Sequence, residues 1–163
     1  MSNSKETNAP SAMTSEDWGQ PTSRAWAFVP WLKLEQHVYR LQKRIYRASN
    51  RGNVQAVHRL QQLLMRSRSA QLLAVRRVTQ DNQGKNTPGI DGVAAVQPAE
   101  RFQLAAEIHP KKWTKRKARP VRRVWIPKPG KAEKRPLGIP TLYDRASQAR
   151  GQAGAGTRMG GQI

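Results

Sequence analysis

The sequence predicts an α+β protein: a mainly helical N-terminal region followed by a single β-hairpin. Three observations lead there. From Trp26 to Gln80 the apolar residues recur at steps of three and four, the period of helices that bury one face. Two short apolar runs, Val121–Pro127 and Pro136–Pro140, flank a turn rich in Pro, Gly and Lys, the pattern of two strands and their connection. Both ends of the chain, 1–23 and 149–163, are polar and aperiodic, so both are expected to be disordered.

Each element has its own local justification. In Met1–Ser23 only Trp18 offers an anchor, by docking on the next helix. In Trp26–Ala48, Leu34, Val38, Leu41, Ile45 and Ala48 line one helical face, and Pro30 suits a first turn, where its missing N–H costs nothing. Asn50-Arg51-Gly52 stops that helix. Asn53 caps a second, Val54–Met65, with Val54, Val57, Leu60 or Gln61, and Leu64 facing inward. Ser67 or Ser69 begins a third, Ala70–Gln80, built on Leu72, Leu73, Val75 and Val78. Asp81–Gly92 has too many Gly, Asn and Asp for a helix or strand interior and is a loop. It matches neither the P-loop nor the dinucleotide fingerprint, so it is an ordinary connector or, through Lys85, a phosphate contact. Pro98–Ile108 is a short helix with Phe102, Ala105 and Ile108 on one side, ended by His109-Pro110. In the hairpin, Val124 and Ile126 share one strand face, Arg123 and Trp125 the other. Trp113 and Trp125 are expected to pack, and Pro127 and Pro129 to leave an exposed, irregular tip. Thr141–Gln148 starts a last helix, with Asp144 near its beginning.

Charge narrows the function. The 163 residues carry 30 Lys and Arg against 10 Asp and Glu, a net charge of +20. Lys111–Arg135 alone holds twelve of the cations and one acid, Glu133. Such an excess calls for a polyanionic partner, RNA or DNA first and a membrane surface second. No apolar run is long enough to span a bilayer or to form a signal peptide, so no membrane partner is expected and a cytoplasmic setting fits. There is no Cys, and three scattered His make no metal site. His58, alone on a helix, is a surface or core histidine. The expected RNA contacts are Arg40, Lys43, Arg44, Arg47, Lys85, Lys111, Lys112, Lys115, Arg116, Lys117, Arg119 and Arg123. For the helical cations a solvated charged face is the competing explanation.

From about Trp26 to Gln148 the chain resembles the N-terminal part of bacterial group II intron-encoded reverse transcriptase/maturases. The marks are VYRLQKRIYRASNRGN (38–53), LQQLLMRSRSAQLLAVRRVTQDNQGKNTPGIDG (60–92) and RRVWIPKPGKAEKRPLGIPTLYDRASQ (122–148), in that order. The resemblance implies that 24–110 is the helical N-terminal region with a lid loop, contacting group II intron RNA and the template strand. It implies that 111–148 is a partial fingers region of a right-hand polymerase. There Lys128 and Arg135 match the cations that grip an incoming triphosphate, and Arg122 a further basic position.

The intact family is an RNA-directed DNA polymerase, holding Mg²⁺ on palm aspartates, one early Asp and a Tyr-Ala-Asp-Asp strand. No such sequence occurs here. Asp91 sits as a turn former, Asp144 at a helix start, and Asp81 in no catalytic context. The expectation is therefore a chain truncated before the palm, with no catalytic residue, metal ligand or cofactor of its own and no polymerase activity alone. One codon choice for Arg150–Ile163, read one base later, gives Val-Val-Lys-Leu-Ala-Leu-Glu-Pro-Glu-Trp-Glu, similar to the family's continuation. The tail from 149 is accordingly expected to be frameshifted. Two alternatives stand beside this: an autonomous basic RNA-binding module with a residual role in intron splicing, and a basic architectural or ribosome-associated protein. The oligomeric state is open.

Overall fold

The computed structural model describes residues 23–94, 96–113, 117 and 119–155. The expected N-terminal tail, with Trp18, lies outside them. Among the described residues four helices come first: α1 (Ser23–Ala27), α2 (Trp31–Asn50), α3 (Val54–Arg66) and α4 (Arg68–Arg76). A wide π-turn, Arg77–Asp81, and a 3-10 turn, Gln83–Asn86, lead through the Gly-rich loop to α5 (Pro98–Glu107) and the single turn α6 (Pro110–Trp113). Then come β1 (Arg122–Pro127), β2 (Lys134–Ile139) and α7 (Leu142–Ala155). A helical body with one two-stranded antiparallel sheet is the α+β arrangement expected.

The first predicted helix is in fact two. The chain breaks at Phe28–Pro30, and Pro30 stands just before α2. The break lets Trp26 fold inward, where it is 3% exposed. Its indole Nε1 donates to Gln80 Oε1 at 2.8 Å, and its ring meets Trp31 and Phe102 edge-on at 4.9 and 5.0 Å. Elsewhere the apolar periods hold. Val38, Leu41 and Ile45 of α2 pack on Val57 and Leu64 of α3 and on Ala70 of α4. Val54 is the exception, 54% exposed because it opens α3 at the outer end of the helix. Asn53 caps α3 by accepting from the Ala56 N–H at 3.0 Å, and Ser67 caps α4 by accepting from Ala70 at 3.1 Å. Gly52, at φ +66°, makes the reversal between α2 and α3 that a residue with a Cβ adopts only with strain.

A second apolar cluster joins α1, α4, α5 and α7 through Trp26, Leu72, Val75, Phe102, Ile108, Leu142 and Ala146, among others. α4 thus serves both clusters and is the centre of the body. The presence of α7 in this core corrects the expectation of disorder from residue 149. The helix continues to Ala155 because its small residues allow close approach: a Cβ on Gly154 would lie 3.9 Å from Leu64 Cδ2. Its last carbonyls, which a helix end leaves without partners, are met by two glutamines. Gln42 Nε2 donates to Ala153 O at 2.9 Å and Gln61 Nε2 to Gly154 O at 3.3 Å.

The hairpin projects from this body. Arg122 pairs with Ile139, Trp125 with Pro136 and Pro127 with Lys134, so β2 begins two residues before the predicted apolar run. Arg122, Val124, Ile126, Arg135, Leu137 and Ile139 share one face. Arg123, Trp125 and Lys134 share the other. Trp125 is 57% exposed, which overturns the expectation that it packs: no second layer covers a strand face it shares with two cations. The side chain of Trp113 lies outside the described ones.

Candidate nucleic-acid interface

The cations predicted to meet RNA fall on several elements. Arg40, Lys43, Arg44 and Arg47 are spaced i, i+3, i+4, i+7 and form an exposed stripe along α2. Lys43 Nζ lies 5.8 Å from the centre of the Tyr39 ring. Tyr39 and Tyr46, seven residues apart on the same helix, are 52% and 46% exposed. Their seven-residue spacing is legible in the sequence and puts them on one face with Lys43. Lys111 and Lys112 are exposed on α6, Lys117 and Arg119 on the connector, and Arg123 on β1. Lys115 and Arg116 lie outside the described residues.

The three residues proposed by resemblance to hold a nucleotide are not equivalent. Lys128 directly follows the Pro127–Lys134 pair, and Arg135 faces Ile126, so both stand near the hairpin tip. Arg122 lies four residues down the strand from Ile126, about 13 Å at the usual rise. Lys128 Nζ is paired with Glu133 at 2.8 Å, which partly offsets its charge. Arg122 donates to Pro88 O at 3.4 Å and so also ties β1 to the Gly-rich loop.

That loop is held more firmly than its composition suggests. Arg145 of α7 donates to Gly84 O at 2.9 Å and to Thr87 O at 3.0 Å. Nothing in the sequence marked Arg145 for this task, because both acceptors are backbone carbonyls. Lys85, expected to reach phosphate, donates to Gln80 O at 3.0 Å while remaining exposed. Gly89 is pressed against the backbone where β2 runs into α7: a Cβ there would meet Pro140 O at 2.7 Å.

The described aspartates, Asp81, Asp91 and Asp144, do not converge on a metal. Asp81 lies 3.8 Å from Arg76, the Asp91 carboxylate accepts from the Val93 N–H at 3.4 Å, and Asp144 belongs to the α7 cap. In that cap the Thr141 hydroxyl donates to Asp144 Oδ2 at 2.7 Å and accepts from the Asp144 N–H at 3.2 Å. Among the described residues no three His, Asp or Glu side chains group as a metal site, so the described aspartates do not fit the Mg²⁺ of a polymerase palm. No described helix is long and apolar enough to cross a membrane.

Exposed cations on helix, connector and hairpin, with the acids among the described residues few and already engaged, make a basic helical protein suited to a polyanion. A family model described as the N-terminal domain of reverse transcriptase matches residues 26–108, just over half of the chain, and the chain belongs to that family. It is similar to Maturase-like protein 1 of Euglena gracilis, 31% identical over 93 residues that cover 57% of this chain and 20% of the relative. Protein YkfC of Escherichia coli (strain K12) is 37% identical over 93 residues, 55% of this chain and 24% of that protein. Maturase-like protein 1 of Euglena longa is 28% identical over 74 residues, 45% of this chain and 16% of its own length. The chain therefore spans about a fifth of the length of the curated relatives it matches.

Proposed function

We propose that this chain is the RNA-binding, N-terminal portion of a group II intron reverse transcriptase/maturase, acting in the cytoplasm and without polymerase chemistry of its own. The observation that carries the reading is the exposed stripe of Arg40, Lys43, Arg44 and Arg47 together with the cations of 111–135, in a chain of this family. Its partners are group II intron RNA and, along the hairpin, template nucleic acid. Lys128 and Arg135 are the pair suited to a triphosphate, one as a point charge and one as a forked donor.

The test is binding to a structured group II intron RNA against an unrelated structured RNA at matched salt. Selective affinity for the intron supports the reading, and equal affinity overturns it. Replacing one α2 cation that meets a phosphate with Gln lowers the salt slope by about 0.7–0.9. In primer extension with Mg²⁺ and nucleotides the chain alone gives no synthesis, and robust synthesis would refute the inactive reading. A second reading, an autonomous module with a residual role in splicing, is favoured by one feature: α7 closes the helical core from within the chain. Rescue of splicing by this chain alone would distinguish it.

A further inference from the structure

A pocket of about 490 Å³ lies between α7, the base of the hairpin and the end of α3. Asp144, Ser147 and Gly151 line it from α7, spaced i, i+3, i+7 on one helical face. Met65 and Val121 contribute apolar wall, and the exposed Arg119 and Lys117 contribute charge. Its size falls within the range of about 300–1,000 Å³ in which proteins enclose small ligands.

Two features say what such a pocket would hold. Gly151 faces open space: nothing lies within 4 Å of the position a Cβ would take. The charges have the sign for phosphate. Another pocket, about 550 Å³, gathers Asp91, Glu100 and Glu107 around Arg119 and repels a polyanion. Here two cations stand against one carboxylate, and Asp144 already accepts from the Thr141 hydroxyl.

We propose that this pocket receives one unstacked nucleotide of a bound RNA, its base against Met65, Val121 and the open face at Gly151 and its phosphate toward Arg119 and Lys117. The inference rests on the RNA-binding reading and adds to it a single-nucleotide site on α7. Extruding one base is least expensive in a loop or bulge, so single-stranded or looped RNA is the form recognised.

The test uses a single-stranded RNA carrying 4-thiouridine, with binding followed separately by anisotropy of an end label. Ultraviolet cross-links are mapped to peptides of the full chain. The wild-type protein should cross-link on the segments holding Met65 and Asp144–Gly151. Gly151→Leu fills the open space with a better helix former, and its thermal unfolding checks that it folds. In it those cross-links fall by about tenfold or more, the equivalent of removing one bound base, while cross-links on α2 persist. Met65→Phe, filling the pocket from the other wall, gives the same reduction. Unchanged cross-linking in a folded variant, or RNA binding with no cross-link on either segment, overturns the inference and leaves the RNA-binding reading intact. Absence of RNA binding by the wild type overturns both.

Discussion

Changing Gly89 to Ala tests how the loop is seated. The new methyl carbon would stand 2.7 Å from Pro140 O and 2.8 Å from Thr141 Cα. Both are backbone atoms, fixed by the β2 strand on one side and the α7 cap on the other, so no side chain can swing aside. Restoring 3.4 Å, the near edge of ordinary contact, needs a displacement of about 0.7 Å of a whole segment. That movement strains the two Arg145 bonds to Gly84 O and Thr87 O and the Arg122 bond to Pro88 O. Overpacking of this kind costs about 2–3 kcal/mol, an expected drop of roughly 5–10 °C in Tm for a chain of this size. Gly84→Ala, in the same loop, is the control: nothing lies within 4 Å and its φ is not positive, so it should stay within about 0.5 kcal/mol of wild type. Urea and thermal unfolding of both variants decide the matter. Equal stability of the two would refute the seating of Gly89 on Pro140–Thr141.

Other perturbations follow from other sites. Arg150 is 1% exposed, donates to Ile108 O, and is held below its ordinary pKa by burial. Arg150→Ala should lose about 2–4 kcal/mol in urea unfolding, whereas Arg150→Met, which keeps the packing stem and removes the buried charge, should stay within about 1 kcal/mol of wild type. The His109 imidazolium is disfavoured by burial and then by Lys111, Arg150, Arg66 and Lys112, so its folded pKa lies below the ordinary 6.5. The unfolded chain then takes up the proton first. Stability is full above 6.5 and declines as pH falls from there toward the folded value, and His109→Gln should flatten that limb of the curve. Glu133→Gln releases Lys128 from its 2.8 Å pair, so RNA affinity at low salt should rise about two- to fivefold while stability shifts by no more than about 0.5 kcal/mol.

Much of the helical body could be foreseen because its signal is local. Val38, Leu41 and Ile45, or Leu72, Val75 and Val78, announce a buried face through spacing alone, and Asn53 and Ser67 announce the helix starts through chemistry. The misjudged parts depend on partners distant in sequence. Trp26 turns inward because Gln80 and Phe102 await it, which no window around Pro30 contains. Residues 149–155 look like a flexible glycine tract until Gln42 and Gln61 are in place to receive their carbonyls. Trp125 shows the reverse error. Its size argued for burial, but its strand face had no layer to cover it. Of the interface, charge was evident and engagement was not: the bonds of Arg122, Lys85 and Arg145 to backbone oxygens leave no trace in composition.

The seat of α7 sets the order in which the protein can be completed. Ala25 and Trp26 begin a core whose last wall, Leu142, Tyr143 and Ala146, is made more than a hundred residues later. The first four helices therefore emerge from the ribosome with an apolar flank still open, and they wait through synthesis of the loop and the whole hairpin before it can close. Contacts so far apart in sequence slow folding and lengthen the exposure of that flank. Among the described elements, α1 depends for its burial on α7, which is synthesised well after it.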